Sequence, residues 1–158
     1  MDLTRRALVI ASLAFAAASS TAHAAPGPAP DPERAAVEAT VQLYFQGHAT
    51  GDGNLFRKAF HPDAFVFWVD KGALAKRSSA EFAGGASGKP ADDEARRVRK
   101  ILMVDITGTA AIVKVELAYP TMHFIDYLSL VKLDGSWVII DKIFYREPRP
   151  ANAVPSPK

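Results

Sequence analysis

The sequence predicts an α+β domain, with three N-terminal helices packed on a strongly curved, mainly antiparallel sheet. Three observations carry that reading. A capped apolar stripe of helical period opens at Asp31, and two shorter helical segments follow it. From about residue 96 onward, four strand-like segments succeed one another across short connections. One of those connections is Asp134-Gly135, an Asp-Gly step between apolar runs and a strong hairpin signal. Helices first and a meander of long strands afterwards is the α+β order.

The first helix starts at Asp31-Pro32-Glu33, which supplies a capping oxygen, a proline at the first helical position and an acid in the first turn. Val37, Val41, Tyr44, Phe45 and His48 then recur near a 3.6-residue period, and Gly51-Asp52-Gly53 stops the run. A short second helix carries Leu55, Phe56, Ala59 and Phe60 on one side, and His61-Pro62-Asp63 breaks it. Ala64 to Val69 is aromatic and β-branched, a buried strand turned by Asp70-Lys71-Gly72. Ser78-Ser79-Ala80-Glu81 is a capping box that opens a third short helix, ended by Gly84-Gly85. Gly84 to Ala95 is small and polar, hence a loop. The four strands expected after it are Arg96–Ile106, Thr109–Tyr119, Met122–Leu133 and Ser136–Arg146.

The ends read differently. In residues 1–24, Arg5 and Arg6 precede an apolar run from Ala7 to Ala18, and Ala22-His23-Ala24 offers a small-residue cleavage pattern, so a secretory signal peptide is expected. That run of 12 residues spans only about 18 Å as a helix, short of a ~30 Å hydrocarbon core. Thr4-Arg5-Arg6-Ala7-Leu8 also resembles a twin-arginine export signal. The protein is therefore expected to be exported, periplasmic or secreted, with no membrane association after cleavage. Eight of the 11 prolines flank the core, marking a linker at 25–31 and a tail at 148–158 around a domain at 32–147.

Composition excludes several functions. The chain has 158 residues, 49% hydrophobic, no cysteine and a net charge of +2, which becomes +1 when Asp2, Arg5 and Arg6 leave with the signal. Without cysteine there are no disulfides, thiolate metal sites or cysteine nucleophiles. A near-neutral domain gives no electrostatic footprint for nucleic acid. Arg96-Arg97-Val98-Arg99-Lys100 is basic, but it follows Asp92-Asp93-Glu94 and reads as a solvated edge strand. His48, His61 and His123 show no metal-ligand spacing, and Gly84 to Lys89 lacks the spacing of a phosphate loop. No metal and no cofactor is expected.

A few polar residues stand on otherwise apolar faces. On Met122–Leu133, Asp126 shares a face with Phe124, Leu128 and Leu130. It is either a carboxylate on a wet face or an acid in an apolar cavity, where desolvation favours the neutral, proton-donating form. Tyr44 lies on the apolar stripe of the first helix, facing the sheet, as a core tyrosine or a functional one. Val66, Trp68 and Asp70 share a face of the first strand. On the last strand Lys142 shares a face with Val138, Ile140 and Phe144, where it needs a partner or an outward path.

The segment Val41-Gln42-Leu43-Tyr44-Phe45-Gln46-Gly47-His48-Ala49-Thr50-Gly51-Asp52 resembles the opening helix of the nuclear transport factor 2-like, cone-shaped α+β superfamily. Phe60 to Ala64, Phe124 to Leu130 and Gly135 to Phe144 fit it as well, and the last two blocks are similar to its lumazine-binding branch. Ketosteroid isomerase and polyketide cyclase-like proteins (the SnoaL-like group) are siblings there. The isomerase is a standard illustration of a neutral carboxylic acid paired with a tyrosine. The resemblance implies that Tyr44 and Asp126 stand at those two places, while Trp68 occupies the place of the isomerase's base and Asp70 is a displaced candidate. The expected function is binding of a small hydrophobic or aromatic ligand in an apolar pocket. Tyr44 and Asp126 would anchor it, with His48, Trp68, Phe124 and Leu128 around it. The alternatives are an isomerase or cyclase acting on a small cyclic ketone, with Tyr44, Asp126 and Asp70 as catalytic groups, and a homo-oligomeric interaction module. A homodimer is expected.

Overall fold

The computed structural model describes residues 31–150. The expected signal peptide, nearly all of the linker and the end of the tail lie outside the described residues. Helix α1 (Pro32–Thr50) is capped by the Asp31 carboxylate, which accepts from the Glu33 N–H, and it ends at Gly51 in the left-handed conformation (φ 70°). Helix α2 (Gly53–Ala59) is capped by Asp52, and helix α3 (Ser78-capped, Ser79–Gly84) carries the full reciprocal capping box with Glu81. A six-stranded sheet supplies the second layer: β1 (Phe60–Asp70), β2 (Ala73–Ser78), β3 (Val98–Thr107), β4 (Ala110–Ala118), β5 (Met122–Leu133) and β6 (Ser136–Pro148), in the order β2-β1-β6-β5-β4-β3. All neighbours are antiparallel except β1 and β6, which run parallel. The sheet is curved and mixed, and it is not closed.

Three differences from the sequence reading have physical causes. Strand β1 begins at Phe60 instead of Ala64, because His61-Pro62-Asp63 forms an irregularity between the pairs Phe60↔Ile139 and Phe65↔Asp141. A proline that cannot donate is tolerated at such a break. Strand β2 was not expected at all. Its sequence, Ala-Leu-Ala-Lys-Arg-Ser, has no β-branched residue, and tertiary pairing with β1 makes it a strand. Lys71 and Gly72, both with positive φ, form the two-residue turn that joins them. Finally, β6 continues to Pro148, the first residue of the expected tail.

The third helix, the Asp134-Gly135 hairpin and the antiparallel meander stand where the sequence placed them. Helix α1 packs on the sheet through Val37, Val41 and Tyr44, all fully buried, against Val113, Val115, Leu128 and Ile139. Polar contacts fix its tilt. The Thr40 hydroxyl donates to the Trp137 carbonyl at 2.9 Å, and Glu33 accepts from Lys132 Nζ at 2.6 Å and from Trp137 Nε1 at 2.9 Å. Two members of the basic run at the start of β3 are paired with the acids before it, Arg97 with Asp93 and Arg99 with Glu94. Among the described residues, no helix is long and apolar enough to cross a membrane, and no group of three or more His, Asp or Glu is placed to hold a metal ion.

A bulge in β6 decides which residues reach the interior. Leu130 pairs with Ile139 and Ser129 with Asp141, so Ile140 is an extra residue. Trp137 and Ile139 point inward before it, Lys142 and the half-buried Phe144 after it, while Ile140 faces out. The expected company of Lys142, Val138 and Ile140, is therefore corrected. One inserted residue flips the parity of a strand.

Candidate functional site

Between α1 and the concave face of β5 and β6 lies a cavity of about 150 Å³ lined mainly by Tyr44, His48, Arg77, Phe124, Asp126 and Lys142, with Phe82, Tyr119, Phe144 and Arg146 completing its walls. Tyr44, Asp126 and Lys142 meet inside it. The Tyr44 hydroxyl donates to Asp126 Oδ2 at 2.5 Å, and Lys142 Nζ donates to the Tyr44 oxygen at 2.7 Å and to Asp126 Oδ2 at 3.1 Å. These side chains are 0%, 1% and 4% exposed, so the triad has no bulk solvent to screen it.

Each member reaches the site for a local reason. Tyr44 is carried by the apolar stripe of α1, Asp126 by the inward alternation of β5, and Lys142 by the bulge in β6. Burial holds the Tyr44 hydroxyl well above its usual range, helped by the Asp126 charge, so it stays a phenol. Burial also pulls the Lys142 amine down, against the opposing pull of Asp126. His48 is driven well below its ordinary value by burial first, then by the charges of Lys142, Arg99 and Arg97, and is therefore neutral. Three polar atoms on the site lack a partner among the described residues: Asp126 Oδ1, His48 Nε2 and the Tyr119 hydroxyl.

The lysine changes the expected chemistry of the dyad. A lysine nitrogen that contacts two oxygens donates to both, so the Tyr44 oxygen and Asp126 Oδ2 are acceptors there. The tyrosine proton then goes to the same carboxylate oxygen. Asp126 Oδ2 receives two donors, from Tyr44 and Lys142. Asp126 Oδ1 and the third position on Lys142 Nζ are left without a protein hydrogen-bond partner among the described residues.

The other predicted residues are placed as follows. His48 stands edge-on to Tyr44, ring centroids 4.7 Å apart, and lines the cavity with Phe124. Leu128 is fully buried in the core and lies outside the cavity lining. Trp68 is half-buried and stacks on Phe144 at 5.8 Å under the Arg77 guanidinium, in a neighbouring cleft. That cleft, about 630 Å³, is larger than the cavity but lies beside the triad and not on it. It opens where β1 and β6 part after the pair Phe67↔Ile143, and it shares Phe144 and Arg146 with the inner cavity. Asp70 is exposed at the end of β1 and lines the cleft only.

Sequence reasoning left Lys142 and Arg77 out of the site. For Lys142 the signal was present, a lone cation in an apolar strand next to the aromatic Phe144. Arg77 sits on the unanticipated β2 and gave none.

Comparison with known proteins agrees with this fold. Residues 32–145 match the family described as "Putative lumazine-binding". The chain belongs to that family, within the nuclear transport factor 2-like superfamily. An aldolase, FrzH, from Cladobotryum sp is 33% identical over 123 residues, covering 72% of this chain and 91% of that protein. A nuclear transport factor 2-like protein of unknown function from Shewanella baltica superimposes with a TM-score of 0.67 at 25% identity, over 74% of this chain and 95% of that one. A ketosteroid isomerase-like protein from Erwinia carotovora atroseptica has the same fold, with a TM-score of 0.58 at 15% identity over 73% of this chain and 97% of that one.

Proposed function

We propose that this protein binds a small, largely apolar carbonyl compound in the inner cavity, with its polar head against Tyr44, Asp126 and Lys142. The observation that carries the reading is the buried triad itself. A core gains little from a buried ion pair compared with apolar residues of the same volume, and leaving Asp126 Oδ1 unpaired adds a desolvation cost. Such a cluster beside a cavity points to a binding site. A ligand that presents a donor next to its carbonyl would satisfy Oδ1 while its oxygen accepts from Lys142. A cavity of about 150 Å³ matches one six-membered ring in size.

The name of the aldolase relative supports a carbonyl ligand. The isomerase-like alternative needs a base near the ligand's α-carbon, and Asp70 lies outside the inner cavity. The test is a thermal-shift and calorimetric screen with single-ring aromatic ketones, pterin-like bicycles and steroids, repeated on Tyr44→Phe and Asp126→Asn. Binding of the one- and two-ring compounds that weakens in both variants supports the reading; binding unchanged by both overturns it.

Export fits the leader, and N-terminal sequencing of the protein recovered from outside the cytoplasm tests it. A homodimer through the outer sheet face fits the adjacent row Phe67, Ile143 and Tyr127, with Val69, Leu74 and Tyr145 exposed around it.

A further inference from the structure

We infer that Lys142 is a nucleophile that condenses with the carbonyl carbon of the bound ligand to form an imine; the inference rests on the carbonyl-binding reading above and gives that site a covalent step. Three features of the geometry support it. First, Lys142 is 4% exposed yet lines a cavity, so a ligand in that cavity meets the amine without competing bulk water. Second, the contacts of Nζ leave one position free. Tyr44 and Asp126 accept two of its hydrogens, and the resting ammonium, paired with Asp126, releases the third proton to solvent to give the amine that attacks. The lone pair is then left over, with the Phe82 and Phe144 rings at 5.1 and 4.8 Å as its apolar surroundings. Third, burial and the nearby Arg77 lower the basicity of the amine against the raising pull of Asp126, which eases loss of the proton that must leave before it attacks a carbonyl.

The same contacts supply the proton path. The Nζ lone pair forms the C–N bond as the carbonyl π pair moves onto oxygen. That oxygen takes the Tyr44 proton, and Nζ returns one of its own to Tyr44 along their 2.7 Å contact. The result is a neutral carbinolamine. The second Nζ proton passes to Asp126 Oδ2 along the 3.1 Å contact and travels through Tyr44 to the departing hydroxyl. The C–O bond breaks, the C=N bond forms and one water leaves. Both nitrogen protons end on that water, so no further reagent enters the step. Arg77, which has no acidic partner within ion-pair distance among the described residues, opposes protonation of the amine by its charge.

The experiment incubates the full chain at pH 7 with benzaldehyde and sodium cyanoborohydride, which reduces an imine to a stable benzyl amine. Intact mass and peptide mapping read the product, and a thermal shift with benzaldehyde alone reads binding. The expected result is a single benzyl group on Lys142, with little or none on the exposed Lys71, Lys76 and Lys100. The adduct should disappear in a folded Lys142→Arg variant and slow in Tyr44→Phe. Mapping on the unsubstituted protein answers the question even if a variant misfolds. A thermal shift with labelling spread over the exposed lysines overturns the nucleophile and leaves the binding reading standing. Neither shift nor Lys142 adduct overturns both.

Discussion

Tyr44 and Asp126, 82 positions apart in the chain, share a 2.5 Å hydrogen bond in an interior where neither side chain meets solvent. The bond ties the first helix to the fifth strand at one point. Tyr44→Phe removes it, leaves Asp126 with Lys142 as its remaining donor and takes an acceptor from the amine. The expected cost is about 1–3 kcal/mol in urea unfolding, without change in far-UV circular dichroism. A cost near zero would mean that the hydroxyl is spare.

Lys142 and Asp126 should be coupled. Lys142→Met leaves a carboxylate buried with no cation, an effect of about 3–5 kcal/mol. Adding Asp126→Leu to it should restore much of that stability, so the two single effects exceed the double one. Strict additivity in the double-mutant cycle would show that the pair does not interact.

The sequence made two-thirds of this triad legible. Tyr44 and Asp126 could be assigned to faces because a helical period and a strand alternation are unbroken up to them. Lys142 lay beyond a bulge, and no local pattern around Ile140 announces an extra residue. The sequence therefore left it either paired or turned outward, and gave it the wrong neighbours. Strand β2 was illegible for another reason: an edge strand of Ala, Lys and Arg is specified by its partner β1 and by the turn at Lys71-Gly72, and not by its own composition. Arg77 was lost with it.

His48 makes the fold sensitive to acid. Folded, it stays neutral, held so by burial and by Lys142, Arg99 and Arg97. Unfolded, it takes a proton below about pH 6.5, so the unfolded state binds more protons and stability falls as pH drops through that value. One such group contributes a slope of up to ~1.4 kcal/mol per pH unit. His48→Gln should flatten the melting temperature against pH between about 6.5 and 5. An unchanged slope would place the titrating group elsewhere.

Gly47 has no room for a side chain. A Cβ there would lie 2.6 Å from the Phe56 ring, so Gly47→Ala forces the ring or helix α1 to shift, at an expected cost of about 1–3 kcal/mol. Phe56→Leu in the same chain should recover part of it. Thermal melts of the two single variants and the double variant measure the recovery, and a stabilised Gly47→Ala would contradict the packing.

The outer face gives a mass prediction. Light scattering after gel filtration should return a dimer for the unsubstituted protein and a monomer for Ile143→Asp, since Ile143 is 48% exposed at the centre of the row with Phe67 and Tyr127. A monomeric unsubstituted protein at tens of micromolar removes the dimer.

The parallel pairing of β1 with β6 also has a consequence for how the molecule is made. During synthesis β1 emerges early, yet its inner neighbour is the last strand, and loop closure across that separation is slow. Until β6 is released, the sheet stands in two pieces, β2-β1 and β5-β4-β3, and Asp126 has no cation beside it. A chain truncated after Leu133 would hold two of the three polar side chains without the strand that joins the pieces. Ligand capacity should thus appear only with the completed chain, which makes binding a readout of full-length synthesis.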